Sequence, residues 1–207
     1  MPHPELVLTS CITSAFLLSA SGANDLPSLD CNSTFPPNTS VDNLRDRFGA
    51  QNVASVDVYV GEGIHESGTV LFADSPHQRL EILWKDERGQ RNLRLVRTQG
   101  EADAWHTIHG LTLGIDLKTL EKINGVPFSL AGFDWDYSGT VTSWAGGLLD
   151  DPFGVCSMTV RLAPEPLDDD PVMSQWHQQV IGDREFSSNH RAMQELNPRI
   201  YSIEFSY

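Results

Sequence analysis

Basic charge is what this chain has least of. Lysine and arginine number 14 against 28 aspartates and glutamates, so the formal net charge is −14 at pH 7 and the pI is near 4.7. Nucleic acid and anionic membrane both demand a basic face, so neither is expected as a partner. The balance suits a soluble chain, or one that meets a basic protein. Catalytic signatures are missing as well. There is no Gly-x-Ser-x-Gly, no His-Glu-x-x-His and no glycine-rich phosphate loop. No catalytic residue, metal or cofactor is therefore expected.

Long apolar runs are nearly absent. The one that occurs is "LVLTSCITSAFLLSASGA", 6–23. Residues 1–23 read as a secretory signal peptide, with the small residues Ser21 and Ala23 placed for cleavage ahead of Asn24. No Lys or Arg precedes the run, only His3 and Glu5. It is short for a membrane span and rich in Ser and Thr, so no stable insertion is expected after signal removal. "LTSC" ending at Cys11 has the form of a lipoprotein cleavage box, but too few apolar residues precede it for lipid anchoring. The expected location is periplasmic or secreted.

Cysteine is scarce too, with three in the chain. Loss of the leader removes Cys11 and leaves Cys31 and Cys156, an even pair that export favours as one disulfide. The long loop it closes stabilises by up to about 4–5 kcal/mol in the chain-entropy model.

What is present reads as short helices and alternating strands. After a loop at 24–38, Thr39 or Ser40 caps a helix whose apolar face is Val41, Leu44 and Phe48, and Gly49 ends it. Strict period two then marks strands at 53–60, 79–86 and 92–100, with a short apolar strand at 68–73 and a hairpin turn at 87–90. One face is expected to be buried and one wet, so the sheet is antiparallel. The pattern restarts at "GIDLKTLEKING", where Asp116 caps and Gly125 stops a second helix. Strands are expected within 127–137, 138–147 and 156–165. An acidic linker then leads to a helix at 171–181, a helix capped by Asn189 and a final strand at 199–206. Leu44 and Gly49 match Leu120 and Gly125 at a common offset, which reads as an internal repeat. The expected fold is α+β: a repeated unit of short helix and antiparallel strands, helices on one sheet face. Two such repeats fill 39–163, and 164–207 completes the same domain.

The segments "LRDRFGAQNV", "GTVLF", "RLEILWKD", "WHTIHGLTLGIDLKTLEKINGVPFSLAGFDWDYSGTVTSW" and "IGDREFSSNHRAMQELNPRIYSIEF" resemble a group of uncharacterised exported bacterial proteins across about 39–207. That resemblance implies export and assigns no activity. The "GLTLGIDLKTLEKING" unit is similar in shape to beta-lactamase inhibitory protein and to the small lipoproteins of the outer-membrane barrel-assembly machine. Those likenesses imply short helices before an antiparallel sheet, and protein binding. They place no functional residue here.

Several constellations carry possible chemistry. His106 and His109 have an HxxH spacing, and Glu62, His65 and Glu66 cluster, but neither set lies on a helix that would converge it on a metal. His77, His177 and His190 have no partner spacing. The acids in "LDDDP", 167–171, lack the alternation of a calcium loop and fit a solvated linker. "GFDWDYSGTVTSW", 132–144, is the densest stretch. Read as a strand, a turn at Ser138 and Gly139, and a returning strand, it puts Asp134 and Asp136 on one face, about 6–7 Å apart. That is near the span of a glycosidase pair. Trp135 and Tyr137 fall on the other face. Trp105, Trp135, Tyr137, Trp144 and Trp176 fit either a recognition platform or a core.

Asp134, Trp135, Asp136, Tyr137 and Trp144 are the candidate binding surface. The expected function is a non-catalytic protein-binding protein of inhibitor, adaptor or envelope-assembly type, with another protein as partner. The alternatives are a glycan-directed hydrolase using Asp134 and Asp136, or a carbohydrate- or small-ligand-binding module using exposed tryptophans.

Overall fold

A computed structural model describes residues 26–150, 154–166 and 170–207. The expected signal peptide, Cys11, Asp168 and Asp169 lie outside the described residues, while Asp170 caps the helix that follows.

Local chemistry sets the helices. In α1 (Val41–Phe48), Ser40 and Asn43 form a reciprocal capping box, and Val41 and Leu44 are buried. In α2 (Leu117–Asn124), Asp116 accepts from the Thr119 N–H at 2.8 Å, and Gly125 closes the helix in left-handed backbone. Two expectations shift. α3 (Pro171–His177) stops four residues early, because the chain must turn to bury Val180 and to bridge Ile181 to Phe133. α4 (Arg191–Leu196) is capped by His190, whose Nδ1 accepts from the Ala192 N–H at 3.2 Å, not by Asn189.

The strands are β1 (Val53–Gly61), β2 (Ile64–Leu71), β3 (Leu80–Asp86), β4 (Arg91–Gln99), β5 (Ser129–Ala131), β6 (Val141–Ser143), β7 (Ser157–Ala163), β8 (Glu185–Ser187) and β9 (Arg199–Ser206). They form two antiparallel sheets, β1-β2-β3-β4-β9-β7 and β6-β5-β8. The fold class is α+β. One main core takes Leu44 from α1, Leu117 and Leu120 from α2 and Met193 from α4 against inward residues such as Ile82, Trp84, Val96 and Phe205. The helices thus cover one face. The strands after α2 do not repeat the meander after α1. β5 and β6 join β8 in the small sheet, while β7 crosses to the large sheet's edge beside β9.

The outer face of the large sheet is not uniformly wet. Val58, Val70 and Leu83 are buried there, with Val56, Val60 and Leu95 packed around them. β2 pairs with β3 only from Thr69 to Leu71, so the rest of the β1–β2 hairpin is free to curl over that face. Gly68 permits the bend: a Cβ there would stand 2.7 Å from the Ile82 carbonyl oxygen. Arg97 of β4 reaches the Tyr59 carbonyl of β1 at 2.6 Å and ion-pairs with buried Glu81 at 2.7 Å. Arg94 pairs with Glu66.

Cys31 and Cys156 are disulfide-bonded with their Cα atoms 6.2 Å apart, which ties the N-terminal loop to the start of β7. No helix among the described residues is long and apolar enough to cross a membrane.

Candidate functional site: an aromatic loop above the small sheet

The small sheet positions the loop. Ala131 ends β5, and its N–H donates to the Thr140 carbonyl at 2.8 Å. The Gly132 N–H donates to the Arg184 carbonyl at 2.8 Å, and that of Phe133 to the Val180 carbonyl at 2.9 Å. These bonds bring 180–185 alongside the loop's base. Gly132 has no room for a side chain, since a Cβ would lie 2.4 Å from the Gly182 carbonyl oxygen. Phe133 is buried and anchors the entry to the loop.

The expected extended run ends at that anchor. Asp134 takes a φ of 67°, the left-handed region that aspartate tolerates better than most residues. Its N–H donates to the Ser138 hydroxyl at 3.2 Å, and the Ser138 N–H donates to the Trp135 carbonyl at 2.8 Å. The turn therefore starts four residues before Ser138. Asp134 and Asp136 do not share a strand face, so the spacing argument for a glycosidase pair falls.

Neither the acids nor the aromatics are covered. Trp135 is 59% exposed and Tyr137 73%. Asp134 and Asp136 are exposed beside them. Trp144, expected on the same surface, is instead buried against Phe128 at 5.4 Å, and its carbonyl accepts from the Asn124 amide. Trp84 and Trp105 are buried as well, and Trp176 is half-buried beneath the Arg191 guanidinium at 5.0 Å. The tryptophan platform thus reduces to Trp135, joined by Tyr137.

A cavity of about 190 Å³ opens between this loop and the small sheet. Ala131, Gly132 and Gly182 supply small surfaces, Trp135 and Tyr137 aromatic ones, and Asp183 and Glu185 carboxylates. A Cβ at Gly182 would touch the Trp135 indole nitrogen at 3.7 Å, so glycine leaves the indole an open flank. Asp134 faces His177, Oδ2 to Nε2 at 3.6 Å, and that imidazole stacks on Phe133. Among the described residues Asp136, Asp183 and Glu185 form no ion pair. The site can therefore offer apolar rings, small-residue floor and negative potential.

The histidine motifs sit elsewhere. His106 lies in irregular backbone with Nε2 3.4 Å from the Ser28 hydroxyl, and His65 packs on Tyr59 at the hairpin tip. Among the described residues no three His, Cys, Asp or Glu side chains come close enough to hold a metal ion. A larger cavity of about 520 Å³ went unread in the sequence. It is lined by Arg47, Phe48, Asn52, Phe72 and Gln78, together with Leu26 and Pro27. Its residues come from four separate segments, so no single motif advertises it. No family model, curated protein or solved structure matches the chain.

Proposed function

We propose that this chain is an exported, non-catalytic protein-binding protein of the inhibitor, adaptor or envelope-assembly type, and that the Trp135–Tyr137 loop is its contact surface. The exposure of two large aromatics beside a carboxylate-rimmed cavity carries this reading. Exposed Trp and Tyr are the residue types that anchor protein interfaces, because they bury much area at little entropy cost. The surrounding acids attract a basic partner and raise its encounter rate, most strongly at low salt. The disulfide supports export, since such bonds persist in oxidising compartments. The likeness of the α2 unit to protein-binding families points the same way.

A photo-crosslinking residue in place of Tyr137 tests the reading. Its control is the same group in place of Tyr59, a half-exposed aromatic on the distant hairpin. The expected result is a discrete protein adduct from position 137 in the cell envelope and none from position 59. Equal labelling from both, or retention of glycan with no protein adduct, would overturn it. The latter outcome would favour a carbohydrate-binding module.

A further inference from the structure

We infer that the cavity between the end of α1 and the turn after β2 binds a small organic carboxylate with a planar apolar body. Its volume of about 520 Å³ falls within the span of small-molecule sites. Phe48 and Phe72 form a wall. Their rings meet edge-on at 6.0 Å, and both pack on buried Trp105, at 6.0 and 6.4 Å. The wall is therefore held before any ligand arrives.

Arg47 supplies the cation. Its Nη1 donates to the Ser33 and Thr34 carbonyls at 2.9 and 2.8 Å, and its guanidinium carbon sits 5.7 Å from the Phe48 ring centre. These contacts fix the guanidinium. Among the described residues, Arg47 has no carboxylate partner and its Nη2 and Nε have no acceptor. A carboxylate can take them as a fork. One N–H of the Asn52 side-chain amide donates to the Phe48 carbonyl at 2.8 Å, which holds that amide against the cavity.

Phe72 adds a second kind of observation. Its φ is 52°, a sterically costly conformation for a bulky residue. Hydrogen bonds hold it there: its N–H donates to the Asn52 carbonyl at 2.8 Å, and its carbonyl accepts from the Ser75 N–H at 2.9 Å. Strain of this kind gathers where a side chain must point into a site, and this ring is the cavity wall. A smaller cavity of about 300 Å³ shares Asn52, Phe72 and Gln78, but Asp74 lines it. The anion therefore belongs in the larger one.

The test uses 3-phenylpropionate and its neutral amide, titrated calorimetrically into the oxidised protein at low salt. The carboxylate should bind saturably at one site. In NMR spectra the Trp105 indole N–H, which donates to the Gln78 carbonyl at 2.8 Å, should shift, and the Trp135 indole should not. Arg47→Gln should weaken the carboxylate about tenfold or more and leave the amide unchanged. Arg47 is exposed, so the variant should fold, and an unchanged Tm checks that. Phe72→Gly relaxes the backbone and should weaken both ligands. No saturable binding at millimolar ligand, equal losses for acid and amide in Arg47→Gln, or movement of the Trp135 indole alone would overturn the assignment. Because the two indoles report separately, this outcome is independent of the loop's role.

Discussion

Single residues carry two kinds of stabilisation that can be measured. Glu81 is buried and meets Arg97 at 2.7 Å, the Gln99 amide at 3.0 Å and Arg79 at 3.4 Å. Removing Arg97 leaves a buried carboxylate without its main partner. Arg97→Ala should therefore lower unfolding free energy by about 3–5 kcal/mol in urea titrations. Asp116 acts through pH. The hydrogen bond from the Thr119 backbone, above all, holds its carboxyl below the ordinary value of 3.8. Asp86 is likewise lowered, first by the Gly89 N–H and then by Arg91. Folded values below unfolded ones mean stabilisation that is complete above the unfolded pKa and lost as pH falls through the folded one. The part of the Tm these two carboxylates supply should stay level above about pH 5 and fall below about pH 4. Asp116→Asn keeps a capping acceptor and should make that fall shallower. Cap positions were legible because each needs only a few neighbouring residues: the Thr39–Ser40 pair, of which Ser40 caps, Asp116, and Gly125 at its left-handed turn. His190 in place of Asn189 was not legible, since the cap's identity follows from where β8 releases the chain.

At the scale of elements, β1, β3 and β4 were readable from alternation, with the turn at 87–90 between the last two, and β9 from its place after the last short helix. The loop at 134–138 was not. Alternating Asp and aromatic residues imitate a strand, and only the left-handed Asp134 breaks it, a feature set by the anchoring of Gly132 and Phe133 to 180–184. The curl of the β1–β2 hairpin was equally hidden, because it depends on Gly68 lying against Ile82. Gly68→Val should destabilise by about 1–3 kcal/mol through overpacking, as read by thermal melting. A neutral result would mean that the hairpin does not press on β3.

For the whole molecule, the last strand matters most. β9 lies between β4 and β7, and the Tyr207 hydroxyl donates to the Phe35 carbonyl at 2.7 Å. Such non-local pairing leaves no trace in a linear pattern, so the α+β class was legible while the strand order and the division into two sheets were not. The cysteine pair was legible from arithmetic and the expected export. It links positions 125 residues apart, so reduction should lower stability by up to about 4–5 kcal/mol, compared by denaturation with and without reductant. Two free thiols in the purified protein, found by mass spectrometry, would remove that contribution.

The proposed contact surface also belongs to the whole molecule, since it combines a strongly acidic chain with an exposed aromatic loop. The decisive measurement is the affinity of a crosslinked partner for the wild type and for Trp135→Ala/Tyr137→Ala, with the Tm of both recorded. We expect a loss of about 30-fold or more at unchanged Tm, as for central anchors of an interface. An affinity unaltered by the double substitution would contradict the assignment of this loop.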